Sequence, residues 1–198
     1  MRGKKYFIFL ILSVTGFLLI SWLWPQGGQL PILDKLDSFQ LDDVHGGKYQ
    51  STNEKIKLVT FFYTNCPDVC PLTMVDYKEL QEVLKNEGYF GKTVELVAIS
   101  IDPENDTPSI IKNYAASFDA DPTGWKWLRG TPQQTKKIAD KLKMNYQKLE
   151  GDFFSHSITM YLIDEEDQIR ALYDMASSTK TVEKEKIIED IKLLAQDK

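Results

Sequence analysis

Two cysteines, the only ones in the sequence, are separated by three residues in the stretch TNCPDVCP at positions 64–71. Cys66 and Cys70 follow an apolar run of strand length and precede a helical pattern, and α/β folds place functional side chains at such a junction. The pair could form a redox disulfide or bind a soft metal ion as two thiolates. A purely structural cross-link is disfavoured, because closing so short a loop removes little chain entropy.

Pro71 suits the first turn of a helix, so the sequence predicts that Cys70 lies at a helix N-terminus. There the helix dipole and the unpaired backbone N–H groups favour an anion, and we expect them to favour the thiolate of Cys70. The spacing of four residues would bring Cys66 to the same side of the turn. Because metal binding and disulfide exchange both need a thiolate, this pattern leaves the two chemistries open.

Apolar patterning around the cysteines predicts strands that alternate with helices. Nearly continuous apolar runs at 57–63 and 94–101 are typical of strands buried on both faces, and 125–128 has the composition of a third strand. The predicted helices begin after Cys70, after a cap at Asp106 or Thr107, and after Thr131.

Two hairpins complete the pattern. Residues 38–41 and 48–50 flank a turn with two glycines, which makes His45 a turn residue. Residues 158–163 and 168–173 flank an acidic turn, and a charged helix with an apolar stripe follows. This order of elements predicts an α/β protein with a thioredoxin-like fold and a central mixed sheet.

The first 24 residues predict one transmembrane helix. Three basic residues precede an uncharged run at 6–24, which as a helix would span about 28 Å, enough to cross a bilayer. Because the run lacks a small-residue cleavage site, we expect an uncleaved anchor in the cell membrane, with the domain on the extracytoplasmic face. The predicted organisation is an anchor at 1–24, a stalk at 25–37 and one domain at 38–198.

Charge and compartment narrow the choice of partners. The chain has 24 basic and 29 acidic residues, and its net charge of −5 becomes −8 without the three basic residues at the N-terminus. A nucleic acid is therefore not expected as a partner. Export would place the thiols where disulfides persist, so the cysteines must pair, bind a ligand or be kept reduced by other proteins.

Three stretches, in this order and with this spacing, resemble the Sco/SenC family of membrane-anchored copper proteins. They are TNCPDVCP at 64–71, AISIDPENDTP at 98–108 and SHSITMYLID at 155–164. The resemblance covers roughly 38–194 and implies a thioredoxin-like fold and one copper ion, Cu(I) or Cu(II), bound by Cys66, Cys70 and His156. It implies Asp102 as a nearby acidic residue that is not a ligand. It also implies a role with subunit II of cytochrome c oxidase, whose dinuclear copper centre such proteins help to assemble, and leaves the copper donor unknown.

This ligand set agrees with copper chemistry, because soft sulfur selects Cu(I) and an added nitrogen makes Cu(II) tolerable. His156 precedes the strand at 158–163, the place where thioredoxin-type oxidoreductases carry a cis-proline that faces their disulfide. No proline follows Pro132 in the sequence. Zinc would want a fourth protein ligand, for which the sequence offers no candidate. We also expect that a reversible disulfide between Cys66 and Cys70 excludes copper, since both use the same sulfurs.

The sequence therefore predicts a membrane-anchored metallochaperone that carries copper to the oxidase. The alternative is an enzyme, a thiol–disulfide oxidoreductase that reduces the copper-ligand cysteines of subunit II. A weaker alternative is a thiol peroxidase on the same fold. Cys66 and Cys70 would serve as the redox pair of such enzymes, whereas thiol exchange needs no imidazole, so His156 is the residue that discriminates between the functions.

Overall fold

The computed structural model describes residues 6, 10, 13–16, 29–149, 151 and 153–196. The predicted anchor at 1–24 lies almost entirely outside these residues. Within them, no helix combines the length and the apolar composition that crossing a membrane requires.

Most strands of the described residues belong to one mixed sheet. The strands are β1 (Asp34–Lys35), β2 (Gln40–Asp43), β3 (Lys48–Gln50), β4 (Ile56–Phe62), β5 (Val94–Ser100), β6 (Trp125–Arg129), β7 (Tyr146–Lys148), β8 (Phe154–His156), β9 (Thr159–Ile163) and β10 (Gln168–Asp174). The large sheet has the order β1-β10-β9-β4-β5-β6-β2-β3, and β7 pairs with β8 in a separate sheet. Strands β4, β5 and β6 are parallel, and the other neighbours are antiparallel.

Among the described residues, four helices follow strands of the sheet, and the first two of them connect the parallel strands. They are α1 (Val69–Asn86), α2 (Pro108–Ala116), α3 (Pro132–Lys141) and α4 (Lys184–Gln196). Helix α1 contacts β5 and α4, while α2 contacts β6. Thr107 and Thr131 cap α2 and α3, and each precedes a proline, which suits the first helical position because it has no N–H to donate.

The central strands are buried along their whole length. Every residue of β4 and of β5 is buried, as their continuous apolar sequences predict. Trp125 and Trp127 of β6 are fully buried and stack with their ring centroids 5.3 Å apart. This packing holds the carboxyl ends of β4 and β5 in place, and the chain leaves these ends toward α1 and α2.

The predicted fold class is confirmed in its α/β character, its mixed sheet and both hairpins. The structure adds β1, β7 and β8, for which the sequence showed no strand pattern. Asp34 and Lys35 of β1, within the range predicted as a stalk, pair with Ile169 and Gln168 of β10, so the sheet extends N-terminally of the predicted boundary at 38. Strands β7 and β8 pair as a hairpin, and each has three residues, too few to show an alternating pattern.

Candidate metal centre

The loop between β4 and α1 carries Cys66, and Cys70 lies in the first turn of α1. The Cys66 N–H donates to the Tyr63 carbonyl oxygen at 3.2 Å, and the Cys70 N–H donates to the Cys66 sulfur at 3.3 Å. Asp68, the N-cap residue of α1, makes no capping bond through its side chain. The Cys66 sulfur therefore accepts an N–H bond of the kind that a capping oxygen usually accepts. Both cysteines are free thiols, with Cys66 half-buried and Cys70 fully buried.

A hydrogen bond from the Cys70 thiol, together with backbone N–H groups at the start of α1, stabilises the thiolate of Cys66. The pKa of Cys66 is lowered to about 4 by a hydrogen bond from the Cys70 thiol, and, against the effect of burial, by His156 and the backbone N–H groups of Asp68 and Cys70. The pKa of Cys70 is raised by its hydrogen bond to Cys66, by burial and by the charge on Cys66. The prediction that Cys70 carries the stabilised thiolate is therefore wrong, because the N–H groups at this end of the helix point to the preceding sulfur.

His156 reaches the site from the end of β8, where it pairs with Tyr146 of β7. Its Nδ1 lies 2.9 Å from the Ser157 carbonyl oxygen. Because a carbonyl oxygen can only accept, Nδ1 carries a proton in this contact, and Nε2 is the nitrogen that can offer a lone pair to a metal. Burial lowers the pKa of His156, but the interactions with Cys66 and Ser157 outweigh burial and raise it.

Tyr63 connects the cysteine loop to the hairpin that carries His156. Its hydroxyl accepts a hydrogen bond from the Phe154 N–H at 3.4 Å. Its ring meets the His156 ring edge to face, with centroids 6.1 Å apart, and packs on the Phe154 ring at 5.2 Å. Because the Tyr63 carbonyl oxygen also accepts from the Cys66 N–H, this one residue influences the positions of both the Cys66 thiol and the His156 imidazole. The sequence showed Tyr63 only as the end of an apolar run.

The structure brings the three predicted ligands together. Cys66, Cys70 and His156 each offer one ligand atom, and these atoms all lie within 4.8 Å of one another. Two sulfurs that each lie about 2.3 Å from one metal ion can be at most about 4.6 Å apart, so this spacing is close to what a shared ion requires. Within the described ranges, no fourth His, Cys, Asp or Glu side chain joins the cluster.

The two aspartates of the 98–108 stretch lie outside the cluster. Asp102 is buried, and its carboxylate accepts a hydrogen bond from the Asn105 side chain at 2.8 Å. Asp106, one of the two predicted caps of α2, accepts from the backbone N–H of Thr64 instead, and Thr107 caps the helix. Asp and Thr both favour the N-cap position, so the sequence alone could not show which of these two adjacent residues caps the helix.

Comparison with known proteins gives one consistent family. The family model described as SCO1/SenC matches residues 32–195. The SCO2-like protein of Rickettsia felis is 32% identical over 181 residues, which cover 84% of this chain and 85% of that protein. The SCO1 protein homolog of Bacillus subtilis is 30% identical over 191 residues, which cover 92% and 95%.

Solved structures of similar proteins share the fold. A SCO1/SenC family lipoprotein from Bacillus anthracis has a TM-score of 0.75 and 28% identity, over 84% of this chain and 98% of its own. BsSco, a member of the Sco family of cytochrome c oxidase assembly proteins with a disulfide switch, has a TM-score of 0.73 and 25% identity, over 86% and 100%. Arabidopsis thaliana ScoI, solved with copper bound, has a TM-score of 0.66 and 27% identity, over 79% and 98%.

Proposed function

Because the chain belongs to the SCO1/SenC family, we propose that it is a metallochaperone that binds copper and delivers it during assembly of cytochrome c oxidase. The proposed target is subunit II, whose dinuclear copper centre would receive the ion. The proposed ligands are Cys66, Cys70 and His156.

One observation carries this proposal: two sulfurs and one imidazole nitrogen lie within 4.8 Å of one another. Two sulfurs suit Cu(I), and the nitrogen extends the set to Cu(II). A structural zinc site would be tetrahedral, with four protein ligands. The donor set therefore fits copper better than structural zinc.

The exposure of the ligands fits a protein that releases its metal. Cys66 and His156 are half-buried, while Cys70 is fully buried. A thiolate of the target could approach copper from the side of the two partly exposed ligands and replace them one at a time. Copper is cargo in this scheme.

The proposed location is the extracytoplasmic face of the cell membrane, with residues 1–24 as an anchor and a short stalk between this anchor and β1. The support is the uncharged run at 6–24 behind three basic residues. Such a tether would raise the effective concentration of the domain near a membrane-bound target. A mass measurement on protein extracted from membranes should find residues 1–24 present, and loss of this segment would contradict the anchor.

The deciding experiment is an anaerobic copper titration of the reduced protein and its His156→Ala variant. We expect one copper per domain in the wild type. His156→Ala should lower the affinity for Cu(II) at least tenfold more than the affinity for Cu(I), because two thiolates can hold Cu(I) without the imidazole. His45→Ala is the matched control, since His45 lies in the turn between β2 and β3. Equal losses for both ions, or no loss, would contradict the ligand set.

The second candidate function is thiol–disulfide exchange with the copper-ligand cysteines of subunit II. The observation that favours it is the thiolate of Cys66, whose pKa is about 4 through hydrogen bonds led by that from the Cys70 thiol. If Cys66→Ser and Cys70→Ser abolish oxidase assembly in cells while His156→Ala does not, exchange is the function. If assembly is normal in all three variants and peroxide tolerance falls, the weaker alternative, a thiol peroxidase, replaces both.

A further inference from the structure

Asp106 is a buried carboxylate to which copper binding by Cys66, Cys70 and His156 assigns no role. The residue is 1% exposed and lies between β5 and α2. In the described part of the chain, no lysine, arginine or histidine side chain pairs with its carboxylate. Arg129 donates to its backbone oxygen instead, at 2.9 Å. Burying a carboxylate without a paired cation is costly, so its position requires an explanation.

Uncharged donors surround this carboxylate. Asp106 accepts from the Thr64 N–H at 3.1 Å, from the Thr64 hydroxyl at 2.5 Å and from the Ser100 hydroxyl at 2.6 Å. Thr64 is two residues before Cys66 in the cysteine loop, and Ser100 is the last residue of β5. Three donors favour the ionised form of a carboxyl group and fix its position. Asp106 therefore links the start of the cysteine loop to the neighbouring strand.

The hydrogen bonds from Thr64 place the negative charge of Asp106 beside the cysteine loop, two residues before Cys66. Burial raises the pKa of Asp106, and the hydrogen bonds with Ser100 and Thr64 oppose this effect. Asp106 in turn adds to the raised pKa of Cys70, after the hydrogen bond to Cys66, burial and the charge on Cys66. The carboxylate is thus both a hydrogen-bonded support of the loop and a charge that the sulfurs experience.

The oxidised and reduced states of the site differ in charge. With the same ligands, Cu(II) has one more positive charge than Cu(I). Without copper, the reduced cysteine pair carries the negative charge of one thiolate, whereas the disulfide is uncharged. A fixed negative charge favours the more positive state of each couple. At this site that state is Cu(II) in the first couple and the disulfide in the second.

We propose that Asp106 is a positioning residue that holds the Thr64 end of the cysteine loop and whose charge lowers two reduction potentials, that of bound copper and that of the cysteine pair. The first couple is Cu(II) plus one electron giving Cu(I). The second is the disulfide plus two electrons and one proton giving one thiol and one thiolate. The copper part rests on the proposed function, and the cysteine part does not.

The test is Asp106→Asn, which removes the charge while an amide oxygen still accepts from Thr64 and an amide N–H donates to Ser100. Copper-free protein is equilibrated with reduced and oxidised glutathione, which supplies and accepts the electrons. We expect about tenfold more of the reduced pair at a given glutathione ratio, a potential about 30 mV higher. Copper-loaded protein titrated with a one-electron mediator should show about tenfold less Cu(II) at a given potential, a rise of about 59 mV.

Two control variants separate the charge from the hydrogen bonds. Thr64→Val removes one donor to Asp106 and keeps the charge, so both potentials should move by less than half as much. Asp190→Asn changes a carboxylate that is also 1% exposed and is hydrogen-bonded to Tyr173 and Lys186 at 2.6 Å each. It takes no part in the cysteine loop, and both potentials should stay unchanged.

Unchanged potentials in Asp106→Asn would overturn the proposal, as would an equal shift in either control. If the wild type binds no copper, the proposed function fails while the glutathione experiment still decides the role of Asp106. If Asp106→Asn does not fold, Asp106→Ser takes its place. Failure of both variants to fold would make Asp106 a residue of the fold alone and would reject the proposal.

Discussion

The cysteines and the histidine of the candidate metal centre come from parts of the molecule that differ in burial. Cys66 and Cys70 follow β4, in which every residue is buried between β5 and β9. His156 ends β8, a three-residue strand that pairs only with β7 among the described strands and has no fully buried residue. Near the turn of this hairpin, Leu149 and Phe153 are 50% and 52% exposed.

This difference indicates that the sulfur side of the site is held by the core and the imidazole side by local contacts. Tyr63 joins the hairpin to the cysteine loop, because its hydroxyl accepts from the Phe154 N–H at 3.4 Å and its ring packs on the Phe154 ring. The Ser157 N–H donates to the Asn145 carbonyl oxygen at 2.9 Å, which continues the pairing between the two strands of the hairpin. Structure with few buried contacts opens at a lower free energy than a core strand. The proposed ligand that would distinguish Cu(II) from Cu(I) therefore lies on the less stable element.

The largest expected effect is the loss of copper affinity when a cysteine is replaced. Cys66→Ser should weaken the binding of Cu(I) and of Cu(II) by more than about a hundredfold, since loss of even a residue that supports a ligand can cost 10- to 100-fold. Anaerobic titration with each ion measures this. Circular dichroism of the variant checks that it folds, and binding of Cu(I) within tenfold of the wild type would show that Cys66 is not a ligand.

The free energy of unfolding should depend more on the buried strand β4 than on the hairpin. Leu58→Ala in β4 removes a fully buried side chain, and the cavity should lower the free energy of unfolding by about 2–5 kcal/mol. Phe153→Ala in the hairpin should change it by less than about 0.5 kcal/mol, because Phe153 is half exposed. Urea denaturation of the reduced protein measures both. Comparable losses would contradict the idea that the hairpin adds little to global stability.

Removal of the Tyr63 hydroxyl tests how the cysteine loop is joined to the hairpin that carries His156. Tyr63→Phe leaves the Phe154 N–H without its acceptor and should loosen His156. We expect the affinity for Cu(II) to fall about tenfold, as for residues that orient metal ligands, and the affinity for Cu(I) to stay unchanged. Amide exchange at Phe154 should become faster. Tyr161→Phe is the matched control, since the Tyr161 hydroxyl of β9 makes no hydrogen bond to the described residues of the hairpin. An equal loss for both ions would place the effect on the cysteine loop instead.

The smallest expected effect is that the alkylation rate of Cys66 changes little with pH. Because the hydrogen bond from Cys70 leads the effects that lower the pKa of Cys66 to about 4, its thiolate is present throughout the neutral range. Alkylation of the reduced, copper-free protein by iodoacetamide should therefore proceed at nearly the same rate between about pH 5 and pH 8, and slow as the pH falls through about 4. A rate that rises about tenfold per pH unit up to pH 8 is the behaviour of an ordinary thiol and would contradict this assignment.

The sequence predicted the buried central strands and missed the more exposed hairpin of β7 and β8. The sequence of β4 and β5 predicted buried strands because continuous apolar runs of this length have few other solutions. Strands β7 and β8 were missed because three-residue segments with exposed positions carry no periodic signal. His156 lies just before β9, as expected, and it also ends a separate strand, β8, which the sequence did not predict.

By itself, the sequence determined the residue types of the proposed ligands, the junction that holds Cys66 and Cys70, and the order of strands and helices around them, because these follow from spacing and patterning along the chain. Only the tertiary structure decided that Cys66 rather than Cys70 carries the stabilised thiolate, that Tyr63 joins the cysteine loop to the hairpin, and that Asp106 binds Thr64 rather than capping α2. Each of these outcomes depends on distances and burial set by the folded chain, and a linear pattern contains neither.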